Sequence, residues 1–158
     1  MLAGLFTLRL AIGVVCAQVI WSSWLLVFSM FLFGSLSFAK RLTELLRVKA
    51  RGGERLSGRG YLAADEPLVL AFGAALASAA VFTLVMYLIE EAFRADFYRA
   101  PGFLWTLPVI LALWLVRIWL LCGRGQLDDD PVVFAVRDPQ SLVMGAALAL
   151  AMLAAVLA

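Results

Sequence analysis

The chain has 158 residues, of which 65% are hydrophobic, only 15% are charged and none is histidine. With a mean hydropathy of +0.99, this composition excludes an ordinary soluble domain and points to a polytopic all-α membrane bundle. The net charge of +2 says little, because the signal lies in how charge is divided between loops.

Five apolar spans follow in order and read as one domain, residues 1–158. Span A covers about Leu2–Ile20 and carries Arg9, which must face the bundle interior or snorkel to the surface. No positive n-region precedes it and no cleavage box follows, so it does not read as a signal peptide. Trp21–Trp24 is the polar-aromatic turn expected at an interface, and span B, about Trp24–Ala39, completes a tight hairpin.

The helix of span B is expected to run on past Lys40. Leu42, Leu45, Leu46 and Lys49 hold the i, i+3, i+4, i+7 spacing. Glu44 stands where it can pair with Arg47 or Lys40, and Gly52-Gly53 ends the helix.

Span C, about Pro67–Ile89, opens with Asp65-Glu66-Pro67, a helix-start signal. Its Gly73/Ala77 and Ala74/Ser78 pairs predict close helix contact and a central position. Span D, about Phe103–Cys122, bears Arg117 near its end, where snorkelling suffices. Span E, about Gln140–Ala158, has a further small pair, Gly145/Ala149. Cys16 and Cys122 both fall in apolar spans and read as small buried side chains rather than a disulfide or a metal site.

Seven of the thirteen Lys and Arg residues lie between Phe38 and Tyr61, while the turn between spans A and B has none. The positive-inside rule therefore places the 39–66 loop in the cytoplasm, together with the loop between spans D and E, and the C-terminus outside. Nucleic acid is a poor partner for this basic loop, which lacks interleaved aromatics and is held at a membrane.

Three constellations could carry chemistry. Lys40, Arg41 and Glu44 sit at the membrane surface and could hold a diphosphate or a lipid phosphate; on composition alone, plain positive-inside anchoring is the simpler reading. Gly52–Tyr61 superficially has a P-loop spacing but lacks the Lys-Ser/Thr ending and a preceding strand. It can still wrap phosphates through backbone N–H groups and the guanidinium groups of Arg55 and Arg59, or serve as a linker. Asp128-Asp129-Asp130 could ligate Mg²⁺ or form a solvated loop, with Arg137 and Asp138 capping span E.

The runs LFTLRLAIG, WLLVFSMFLFGSLSFAKRLTEL, GGERLSGRGY and RGQLDDDPVVFAVRDPQSL together resemble the C-terminal half of UbiA-superfamily membrane prenyltransferases. The nearest branch in character is that of decaprenyl-phosphate phosphoribosyltransferase. The resemblance covers essentially the whole chain and implies that spans A to E correspond to the last five of nine transmembrane helices. It also implies an inner-membrane location, with the catalytic loops on the cytoplasmic side.

By that resemblance, a polyprenyl phosphate in the membrane accepts a sugar phosphate from a diphosphate-activated donor. Lys40, Arg41, Arg55 and Arg59 would neutralise phosphate charge, Tyr61 would hydrogen-bond an oxygen and Glu44 would orient the cations. Asp129 and Asp130 would support them. The family's second motif, DxxxD, is here Lys40-Arg41-Leu42-Thr43-Glu44. The Mg²⁺-binding NDxxDxxxD motif of the N-terminal half has no counterpart in these 158 residues. The resemblance therefore implies that the chain alone is inactive and works with a missing N-terminal half or a partner chain. The alternative is a small non-catalytic multi-pass protein, or a subunit, that binds lipid phosphates.

Overall fold

A computed structural model describes residues 8, 22–53, 60–94, 98–127 and 131–157. Within them every regular element is helical. The order is α1 (Ser23–Ala50), α2 (Glu66–Glu90), α3 (Thr106–Gly123), the short α4 (Pro131–Arg137) and α5 (Pro139–Leu157), with 3₁₀ turns at Ala63–Asp65, Ala92–Arg94 and Pro101–Trp105. Four helical stretches are long and apolar enough to cross a bilayer: Ser23–Ala50, Ala63–Arg94, Pro101–Gly123 and Pro139–Leu157. The all-α, multi-pass class thus holds; spans C to E match these helices to within about five residues, and the first helix takes in span B together with its expected continuation past Lys40. Span A, apart from Leu8, lies outside the described residues, as do Arg9 and Cys16.

α1 begins where Ser22 turns its Oγ back to accept the Leu25 N–H at 3.1 Å, satisfying one of the free donors of the first turn. The helix then runs unbroken through the predicted membrane boundary at Ala39 to Ala50, because nothing between Phe38 and Ala50 is a breaker. Gly52, at φ 73°, adopts the left-handed conformation that ends it. α2 opens on Glu66 and Pro67, which suit the amide-rich end of a helix.

α1 and α2 pack most closely, and Gly73 explains why. A Cβ at this position would lie 2.0 Å from the Trp119 ring and 2.9 Å from the Phe38 Cβ, so only glycine lets α1, α2 and the α3 indole converge. Of the two small pairs in α2, Gly73 and Ala77 are buried. Ala74 and Ser78, with Ala77 beside them, line a groove of about 660 Å³ between α2 and α3, along with Val81, Phe82, Val116 and Trp119. The Gly145/Ala149 pair differs from expectation: both residues are exposed, and a Cβ at Gly145 would meet nothing. α5 buries only Ser141 and Ala155, so its small residues bring no described helix close.

Two apolar clusters divide the core. One joins α2, α3 and α5 through Leu84, Leu88, Leu104, Leu111, Leu115 and Ala155. At its end, the Ala100 N–H donates to the Ala155 carbonyl at 3.1 Å, tying the α2–α3 connection to the end of α5. The other joins Leu36, Ala39, Leu42 and Leu45 of α1 to Val69, Ile118 and Cys122. The C-terminal end of α5 therefore sits at the opposite end of the bundle from the basic end of α1.

Candidate phosphate-facing end of the bundle

The last turns of α1 carry the cations of the candidate site. Their apolar neighbours decide which way they face: Leu42, Thr43 and Leu45 are buried against α3 and the start of α2. Thr43 Oγ1 donates to the Ala39 carbonyl at 3.0 Å and stands 3.4 Å from Cys122 Sγ. The Cys122 thiol in turn reaches the same carbonyl at 3.2 Å. Cys122 is thus a buried packing residue that sets α3's end level with Ala39.

Flanking this buried stripe, Arg41 is ion-paired with Glu44, and the Arg41 side chain is only 14% exposed. Glu44 thus has Arg41, three residues earlier, as a partner, a pairing the sequence reading did not include. Arg47 was expected to pair with Glu44; it instead reaches across to the Leu127 carbonyl at 3.4 Å. Lys49 pairs with Glu66 at 2.5 Å, out in the open, where the lysine side chain is 61% exposed. Lys40 is half-buried and held by interactions of its own. Tyr61 lies half-buried against the Leu42–Cys122 cluster, at the same end of the bundle.

Arg47 on Leu127 and Lys49 on Glu66 bring the connection after α1 and the connection after α3 to one end, as the loop charges suggest. Of the residues singled out from sequence, Lys40, Arg41, Glu44 and Tyr61 share this end. Arg55, Arg59, Asp129 and Asp130 lie outside the described residues. Among the described residues no group of three or more His, Cys, Asp or Glu side chains could hold a metal ion. A cationic shelf of this kind can attract and orient a phosphorylated headgroup whose tail stays in the bilayer.

Beside the shelf stands a network of which sequence reasoning gave only one part, Asp138 as a cap of span E. Arg117 donates from Nη1 and Nη2 to Asp138 at 2.7 and 2.9 Å, and its guanidinium lies 5.6 Å from the centre of the Phe134 ring. Asp138 also accepts the Ser141 N–H at 2.7 Å, capping α5, and Ser141 Oγ accepts from Trp114 Nε1 at 3.1 Å. Arg117 is therefore paired within the protein rather than merely snorkelling. Burial pushes the Asp138 carboxyl up, but the hydrogen bonds from Arg117 and Ser141 outweigh it and hold the group below its ordinary range. The available signal was a cation late in one span and an Asp-Pro immediately before the next.

The segment after α3, read from sequence as a loop, contains the helix α4. Phe134 packs against the α1 cluster, and this anchor makes seven residues helical where propensity alone would not.

The chain is 40% identical over 148 residues to uncharacterized protein y4nM of Sinorhizobium fredii; the match takes in 94% of this chain and 29% of that protein. It is 32% identical over 155 residues to nodulation protein NoeC of Azorhizobium caulinodans, covering 96% of this chain and 50% of that protein. The chain thus spans half or less of the length of the curated relatives it matches. No family model and no solved structure matches it.

Proposed function

We propose that this chain forms the C-terminal part of a UbiA-type membrane transferase acting on a polyprenyl substrate and a diphosphate-activated donor, with phosphoribosyl transfer to a polyprenyl phosphate as the reaction. The observation that carries the reading is the cationic shelf, where Lys40 and the Arg41–Glu44 pair sit at the membrane boundary on a helix that continues out of the bilayer. The ordered motif resemblance adds to it. Lys40, Arg41, Arg55, Arg59 and Tyr61 bind phosphate oxygens, and Glu44 orients the cations. Asp129 and Asp130 lend support, and Mg²⁺ is held chiefly by an aspartate-rich half outside these residues. In the cell the protein lies in the inner membrane, with residues 39–66 cytoplasmic and the C-terminus outside. By this reading the 158 residues alone do not turn over.

The test is transfer of radiolabelled phosphoribose to polyprenyl phosphate by the full-length protein in its own membranes. Lys40→Ala and Arg41→Ala are each expected to lower the rate at least tenfold with the protein still folded. Undiminished transfer by both variants sinks the reading.

A second reading is a non-catalytic subunit that binds lipid phosphates. It is favoured by the pairing already present on the shelf, where Glu44 partners Arg41 and Glu66 partners Lys49. Saturable binding of polyprenyl phosphate without turnover, in full-length protein and in the presence of Mg²⁺, would select it.

A further inference from the structure

α4 has its apolar side chains on the wrong face for a helix in water. Pro131 is buried and Phe134 packs inward, while Val132, Val133 and Val136 point outward, 38%, 43% and 68% exposed. At 100° per residue these three valines and Arg137 fall on one arc. An outward valine face of this kind needs a cover.

The contacts around α4 fix its height and so identify that cover. The Cys122–Ala39 contact puts the end of α3 level with the point where the first cations of α1 appear, which marks the boundary of the hydrocarbon. Leu127, before α4, is held by Arg47, eight residues beyond Ala39 and roughly 12 Å further out. Asp138, directly after α4, is held by the guanidinium of Arg117, whose backbone lies six residues inside the end of α3. Ser141 is held one turn deeper still by Trp114. The chain therefore enters α4 from above the boundary and leaves it close to the boundary, where α5 begins its span. α4 crosses the headgroup layer obliquely, valines outward, with exposed Arg137 at its deeper end and exposed Arg124 before it.

We infer that α4 is a membrane-interface helix. Its Val132/Val133/Val136 face inserts among lipid headgroups and upper acyl chains, and Arg137 engages anionic phospholipid there. The geometry answers to both demands of such a helix, an apolar arc toward lipid and a cation that can reach phosphate. The inference rests on the membrane-spanning fold alone and is independent of any transferase activity.

The experiment attaches an environment-sensitive NBD dye to the full chain through Val136→Cys. Gln126→Cys serves as the aqueous reference and Leu150→Cys as the deep one; both residues are exposed. The unsubstituted chain, treated alike, gives the background from Cys16 and Cys122. Vesicles are phosphatidylcholine with none or a quarter phosphatidylglycerol, and the quenchers are aqueous iodide and lipids nitroxide-labelled near the headgroup or deep in the chain. The dye at Val136 is expected to be quenched at least twofold more by the headgroup-level nitroxide than by either other quencher. Phosphatidylglycerol is expected to increase that quenching, and Arg137→Gln to remove the increase. Quenching that follows Gln126, quenching that follows Leu150, or protection from all three quenchers, as a covering protein would give, each overturns the placement. Quenching indifferent to phosphatidylglycerol overturns the role of Arg137.

Discussion

The Trp119 ring occupies the space where a side chain on Gly73 would begin. The indole is held there by its own N–H, which Nε1 donates to Ser35 Oγ at 3.1 Å, and Ser35 Oγ donates onward to the Gly73 carbonyl at 2.9 Å. Three helices are thus joined at one point by a missing side chain, one aromatic ring and one hydroxyl. Lipid tails are as apolar as leucine, so close packing and interhelical hydrogen bonds of this kind carry the association of spans.

Gly73→Ala is accordingly expected to destabilise the bundle by about 1–3 kcal/mol, since the added methyl must displace a pinned ring. Alanine at Gly145, where a Cβ meets nothing, is the matched control and should be neutral. Unfolding in detergent micelles, followed by circular dichroism, compares the two; equal stability of both variants would refute the packing argument.

Ser35→Ala removes the acceptor of the Trp119 N–H and leaves a buried donor without a partner. The cost should be ~1 kcal/mol, modest because the partly unfolded chain in a membrane also finds partners. Trp119 fluorescence offers a second readout: its emission should shift and broaden in Ser35→Ala and stay unchanged in Ser37→Ala, whose hydroxyl bonds only its own helix.

Asp138 links the stability of the α3–α5 contact to pH. Its carboxyl is held below the ordinary value of 3.8, so the folded state binds the proton more weakly than the unfolded chain does. The stabilisation is therefore complete above the ordinary value and is lost as pH falls through it toward the lower folded one. Asp138→Asn should cost about 1–2 kcal/mol at neutral pH by removing the charge that Arg117 pairs with, and should flatten the acid limb of the stability profile. An acid limb identical to that of the parent would mean that other carboxylates carry it.

Lys49 and Glu66 make a still shorter contact with the opposite expectation. The lysine is mostly in solvent, so Lys49→Ala should change stability by less than about 0.5 kcal/mol, and less still in high salt. A larger loss, unmoved by salt, would show that the pair is desolvated.

Much of this fold was legible in the residues. Spans B to E follow from unbroken apolar runs closed by Gly52, Glu66-Pro67 and Asp138-Pro139, because hydrocarbon length and backbone satisfaction leave a helix little freedom. The continuation of α1 was legible because Leu42 and Leu45 keep the helical period past Lys40. Partner choice was harder to read. Arg41, Arg47 and Lys40 all lie within reach of Glu44 along the helix, and only the position of Leu127 explains why Arg47 turns away. Arg117 could have snorkelled; its pairing depends on where the chain returns 21 positions later. α4 escaped notice because a seven-residue helix exists only through Phe134's seat on another element. The candidate site was legible as a charge cluster, and the Arg41–Glu44 and Lys49–Glu66 pairs within it were not.

α1 has 28 residues, about 42 Å of continuous helix, against a hydrocarbon layer of roughly 30 Å. With no joint at Ala39, the height of Lys40, Arg41, Arg47 and Lys49 above the phosphates is set by bilayer thickness. A thicker membrane draws the first two cations down toward the headgroups, and a thinner one lifts them clear. The lipid composition around the protein thereby adjusts how far these charges stand from any phosphate lying in the surface.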